Sequence, residues 1–194
     1  MKKLLLLIIL LTGCAPKITN TNLAENGELI YWNESRPLRK SDFRGSTEKR
    51  PFQAATFSGL KIENPVNIWT GKTRVIIKSY FNPKFSYFKF SERDSSVLAH
   101  EQLHFDITEI YARKLRKEIV EKCSNQYDLF EKRESIYKKV ELELDLKQDE
   151  YDSEVYSERS LQTKWNQWVE KELLLLKDFA NEEVPIKHKF FAPR

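Results

Sequence analysis

The chain has 194 residues, with 33 Lys and Arg against 29 Asp and Glu and a formal net charge of +4. The two signs are interspersed, and no basic stripe carries interleaved aromatics, so nucleic acid is excluded as the expected partner and the surface reads as ordinarily solvated. Only three histidines are present, which makes any pattern among them informative.

Residues 1–13 carry a targeting pattern. Lys2 and Lys3 precede the apolar run Leu4 to Leu11, which is too short to cross a bilayer as a stable helix. The run ends in Leu11-Thr12-Gly13-Cys14 and resembles the lipobox of bacterial lipoprotein signal peptides. That resemblance implies cleavage before Cys14, lipidation of its thiol and firm anchoring by several acyl chains in the bacterial cell envelope. Ala15, not Asp, follows the cysteine, which favours the outer membrane facing the periplasm if the host has one. An ordinary secretory signal with a chance cysteine is the alternative. With Cys14 lipidated, Cys123 has no partner for an intramolecular disulfide, and one thiol is too little for a thiolate metal site. Cys123 is expected to be half-buried at a helix end. Residues 14–27 read as the lipidated cysteine and a polar tether, and 28–194 as a single domain large enough for a real core.

Strand and turn signals come first. Leu29 to Trp32, Ala54 to Leu60 and Arg74 to Phe81 are the strand candidates, the last being the clearest. Ser41-Asp42-Phe43-Arg44-Gly45 resembles a turn that tucks Phe43 inward, and Asn82-Pro83 turns the chain into an extended segment on which Phe85, Tyr87 and Lys89 alternate. After Phe90 the pattern becomes helical. Ser95 or Ser96 is placed to cap a helix from about Val97 to Val120, with Phe105, Ile107, Ile110, Tyr111, Leu115 and Ile119 on its apolar side. A second helix is expected from about Asn125 to Leu146 and a third from Leu161 to Phe179, with Tyr151 to Ser160 connecting or extending them. The tail from Glu182 to Arg194 lies on the surface or adds an edge strand. Strands followed by helices predict an α+β fold.

The first helix contains His100-Glu101-Gln102-Leu103-His104. Residues four apart lie about 400° around a helix, so both imidazoles leave one face, one turn apart. That spacing lets two nitrogens reach one Zn²⁺, and Glu101, next to the first ligand, can take a proton from water at the metal, as in zinc hydrolases. The competing reading is a hydrogen-bonded histidine pair. A catalytic zinc usually takes a third protein ligand. Asp149-Glu150-Tyr151-Asp152-Ser153-Glu154 is the natural source, with Asp149/Asp152 or Glu150/Glu154 sharing a face if the segment is helical. His188 is an alternative, disfavoured by its neighbours Lys187 and Lys189. Asp106 points away from His104 and suits a supporting role. Tyr151 or Tyr156 can donate to a developing oxyanion.

The stretch Leu98 to Ile107, followed by Glu109 and Ala112-Arg113-Lys114-Leu115-Arg116, resembles the bacterial family catalogued as domain of unknown function 922, described as zinc-dependent proteases. The similarity continues upstream in Trp32, Arg36-Pro37-Leu38, Ser41-Asp42-Phe43 and Gly45. It returns downstream in Tyr151-Asp152-Ser153-Glu154, Gln162 and Trp165. It implies a zincin-like α+β fold, a Zn²⁺ cofactor and a peptide or protein substrate in the envelope. The family's downstream motif continues to a histidine, but Val155 and Ser157 occupy the corresponding positions here. That departure shifts the third ligand to Asp152 or Glu154. The spacing argument keeps His100 and His104 as the other ligands and Glu101 as base, with Tyr156 as a catalytic donor. A catalytically inactive envelope lipoprotein with a structural or binding role is the second reading. An open site beside a groove would favour catalysis, and a closed fourth ligand such as His188 would favour the silent protein.

Overall fold

A computed structural model describes residues 29–65, 74–89 and 94–186. The lipobox, Cys14, the tether and His188 lie outside the described residues. No helix among the described residues is long and apolar enough to cross a membrane.

The order is strands, then three helices, then a last short strand. The central strand β4 (Val75–Phe81) pairs antiparallel with β1 (Ile30–Tyr31) and β3 (Ser58–Glu63). The tail returns as β6 (Glu183–Val184) and pairs with the start of β4, which resolves the tail in favour of an edge strand. β2 (Ala54–Ala55) and β5 (Tyr87–Phe88) form a separate antiparallel pair. The single strand expected over Ala54 to Leu60 is thus two strands. Its halves hydrogen-bond to different partners, with a break where Phe57 N–H turns to the Ser86 hydroxyl at 2.8 Å. The turn at Asn82 closes through Ser86 N–H to the Asn82 carbonyl at 3.0 Å. Gly45 lies so close to the chain at Ser86 that a Cβ would stand 2.8 Å from its carbonyl oxygen, so no larger residue fits without a shift. Beside it Phe43 meets Phe81 and Phe88 edge-on, as the turn pattern predicts.

Helix α1 (Asp94–Lys122) starts ahead of the expected Ser95/Ser96 cap. It is buried on several sides, with Phe105 against Phe81 and Leu38, and Ile107, Ile110, Leu115 and Ile119 in the main core. Cys123, just past its end, is fully buried, not half-buried as expected. Helix α2 (Gln126–Ser157) is capped by Asn125, whose Oδ1 accepts from Tyr127 and Asp128 N–H at 2.9 and 3.1 Å. It runs eleven residues past the expected end. No glycine or proline interrupts it, and the buried positions Leu129, Ile136, Val140, Leu144, Tyr151 and Val155 recur at spacings of four and seven, one continuous stripe. Helix α3 (Leu161–Leu175) buries Trp165 and Val169, and the stretch expected to complete it is a separate 3-10 turn, Lys177–Phe179.

α1 is tied to the sheet by buried charge. Glu109 accepts from Arg113 and Arg116 at 3.0 Å each and from the Ser79 hydroxyl of β4 at 2.6 Å. Arg116 also donates to the Ile77 carbonyl at 3.0 and 2.8 Å and to the Phe179 carbonyl at 2.9 Å, joining helix, strand and tail. The N-terminal segment clips onto the same helix. Leu38 N–H donates to Gln102 at 2.7 Å, and Trp32 Nε1–H to Asp106 at 2.7 Å. The result is the expected zincin-like α+β arrangement: a sheet first, then a helical half whose first helix carries His100, Glu101 and His104.

Candidate metal centre and cleft

The short connection between α1 and α2 makes them antiparallel, so residue 100 faces 152 and residue 104 faces 148. His100 and His104 project from one face of α1 with their Nε2 atoms 3.1 Å apart. Asp152 Oδ1 from α2 lies 3.0 Å from each. Tyr151, fully buried, packs against both rings: its ring stacks on His100 at 4.6 Å and meets His104 edge-on at 4.9 Å. Its hydroxyl donates to Gln162 at 2.8 Å. Tyr151 is therefore a platform for the ligands, and its buried, occupied hydroxyl does not fit the expected role of oxyanion donor.

Gln148 decides the tautomer of His104. Its amide Nε2 donates to the His104 carbonyl at 2.9 Å and to Thr108 Oγ1 at 3.2 Å, leaving Oε1 to accept from His104 Nδ1. With the proton on Nδ1, Nε2 presents a lone pair to Asp152 Oδ1. Two acceptors at 3.0 Å repel unless a cation lies with them, and that cation is either a proton or a metal ion. Burial works to lower the His104 pKa, but Asp152, Glu101 and Gln148 outweigh it and raise it. The Asp152 carboxyl, despite its own burial, is held far below the usual carboxylate range by the two imidazoles.

The three atoms fit a metal ion. Tetrahedral donors about 2.0–2.1 Å from one ion stand about 3.3–3.4 Å apart, so this set needs to open by only a few tenths of an ångström. Two imidazoles and one carboxylate form a known donor set for zinc and for non-haem iron. Of the clusters among the described residues, this triad is the group able to hold an ion.

Glu101 lies about 100° round α1 from His100 and turns toward β2. It is 4% exposed, and its Oε2 has no hydrogen-bond partner. Burial raises its pKa, while His104, the Thr56 hydroxyl and His100 pull it partly back. Thr56 also donates to the Glu101 carbonyl at 3.2 Å. His100 and Glu101 open into a cleft of about 230 Å³ between β2, the start of α1 and the α2–α3 corner. Tyr156 stands on its rim, 66% exposed, with its ring 6.0 Å from that of His100. A larger groove of about 530 Å³ lies over β3, β4 and α2, lined by Lys61, Tyr80 and Tyr137 among others. It contains none of the triad, so the chemistry belongs to the smaller cleft.

Of the residues expected at the site, the structure brings together His100, His104 and Asp152, with Glu101 beside them and Tyr156 at the rim. It does not bring Glu154. That carboxylate lies two positions from Asp152, on another side of α2, and accepts from Trp165 Nε1–H at 3.0 Å. Asp149 is exposed, and Glu150 pairs with Lys147. Asp106 supports the N-terminal clip, as expected, and desolvation pushes its carboxyl up to about 6. Gln148 and Thr56 were not anticipated. Gln148 was legible in principle, because it stands one turn before Asp152 as His104 stands one turn after His100.

The chain matches no protein-family model, no curated protein and no solved structure. The resemblance to family 922 therefore rests on the motifs quoted above.

Proposed function

We propose that the protein is a zinc-dependent peptidase or amide hydrolase, held in the cell envelope by a lipidated Cys14, with peptide, protein or cell-wall peptide as substrate. One observation carries the reading: a buried, unpaired carboxylate oxygen of Glu101 beside a His-His-Asp triad that reaches the same cleft through His100. An iron oxygenase could use the same three donors, but such a triad has no need of an adjacent buried base. Glu101 therefore favours the hydrolytic ion.

Zinc held by His100, His104 and Asp152 would supply Lewis-acid polarisation of a substrate carbonyl and make water a stronger acid. Glu101 then takes the water proton on its carboxylate and returns it to the leaving amine nitrogen. Its burial suits both steps, since a raised proton affinity makes it a better base than a surface carboxylate. Asp152 would neutralise part of the cation's charge. Tyr156, at the rim, offers its hydroxyl to the oxygen that gains charge.

The test is Glu101→Gln in the full chain, assayed for zinc content and for turnover of casein-like and cell-wall peptides. We expect zinc to be retained and turnover to fall about 10²–10⁴-fold. Equal turnover by both proteins rejects the role given to Glu101. Zinc held by a wild type that cleaves nothing supports the catalytically silent alternative.

A further inference from the structure

We propose that Arg159 is a carboxylate anchor in the cleft, selecting peptides that carry a carboxylate close to the bond presented to Glu101. The inference rests on the hydrolase reading for its bond-cleaving part only. Arg159 and Glu101 line the same cavity of about 230 Å³, with apolar wall provided by Ala54, Val97 and Val155. Arg159 sits in the turn between α2 and α3, whose backbone is fixed by hydrogen bonds from Glu158 N–H to Glu154 at 2.9 Å, Leu161 N–H to Glu158 at 3.0 Å and Gln162 N–H to Arg159 at 3.2 Å. The adjacent Glu158 carboxylate is turned to the Ser160 hydroxyl. No carboxylate among the described residues pairs with the Arg159 guanidinium.

An unpaired guanidinium beside an apolar wall suits a carboxylate. Arg159 is exposed at the mouth of the cleft, where its planar fork can match two carboxylate oxygens at once. A carboxylate entering the cleft is attracted at the Arg159 end, so a peptide bearing one is held there. Phe52 and Tyr156, both exposed with ring centroids 6.3 Å apart, place an aromatic rim over the entry. The carboxylate can be a peptide's free C-terminus or an acidic side chain.

The experiment measures binding of three blocked tripeptides to the metal-free full-length chain by calorimetry: N-acetyl-Phe-Ala-Glu amide, N-acetyl-Phe-Ala-Gln amide and N-acetyl-Phe-Ala-Gln free acid. We expect at least one carboxylate-bearing peptide to bind about tenfold tighter than the neutral one. Whichever acid is preferred identifies the source of the carboxylate. Arg159→Ala should bring all three to a common Kd, and Arg159→Lys should retain part of the preference. Equal affinities in the wild type, or a preference that survives Arg159→Ala, overturn the anchor. Cleavage by the zinc-loaded chain is scored separately: the preference without cleavage sinks the hydrolase reading and leaves the anchor, and cleavage without the preference does the reverse.

Discussion

His104 can offer a bare Nε2 to a cation only while its proton stays on Nδ1, where Gln148 accepts it. Gln148 is itself oriented by its two donated hydrogen bonds, to the His104 carbonyl and to Thr108. A side chain with no charge of its own thus settles which nitrogen faces Asp152. Gln148→Leu keeps a similar volume and removes the acceptor, so the ring is free to rotate or to carry its proton on Nε2. We expect zinc affinity to fall about 10–100-fold, the usual penalty for losing an orienting partner behind a ligand, with helix content by circular dichroism unchanged. Competition against a chromophoric chelator reads the affinity, and an unchanged value would remove Gln148 from the site.

Between elements, the buried carboxylate of Glu109 is a central tie. It is 3% exposed and joins Arg113 and Arg116 of its own helix to Ser79 of β4. Glu109→Ala strands two guanidinium groups away from water, so a loss of about 3–5 kcal/mol is expected, read as a lower urea midpoint. The exposed pair Glu134 and Lys138 on α2 is the control, since both ends are well hydrated and its removal should leave the midpoint in place. Element by element, what sequence showed depended on whether the cause was local. The His-Glu-x-x-His spacing and the apolar stripe of α1 are local patterns, and both appear as read. The division of 54–60 into two strands depends on pairing with β4 and β5, which no local pattern contains. The length of α2 was underestimated because its inner face turns polar at Gln148 and Asp152, where the site replaces apolar contacts. Choosing Asp152 over Glu154 required the register of α2 against α1. Both carboxylates fit the composition, and only one faces the histidines.

At the scale of the whole molecule, the triad couples the metal, the proton and the fold. Without metal, the raised pKa of His104 contributes stability that is fully present below about 6.5, the ordinary histidine value, and is lost as pH rises through the higher folded value. The depressed pKa of Asp152 contributes stability present above its ordinary value of about 3.9, lost only as pH falls through the lower folded one. The metal-free protein therefore draws most from this pair in mildly acidic solution. Zinc reverses the trend as pH rises through the folded value of His104, because it needs the Nε2 that the proton vacates. At zinc a thousandfold above Kd, binding adds about 4 kcal/mol to the folded state. We expect the gap in Tm between zinc-loaded and metal-free protein to widen steadily from pH 5.5 to pH 8. Asp152→Ala should close most of it at every pH, since two imidazoles alone hold the ion weakly and the proton loses its partner. Thermal melts of the two proteins across that range decide the matter: a gap independent of pH, or one untouched by Asp152→Ala, would place any bound zinc somewhere other than the seam between α1 and α2.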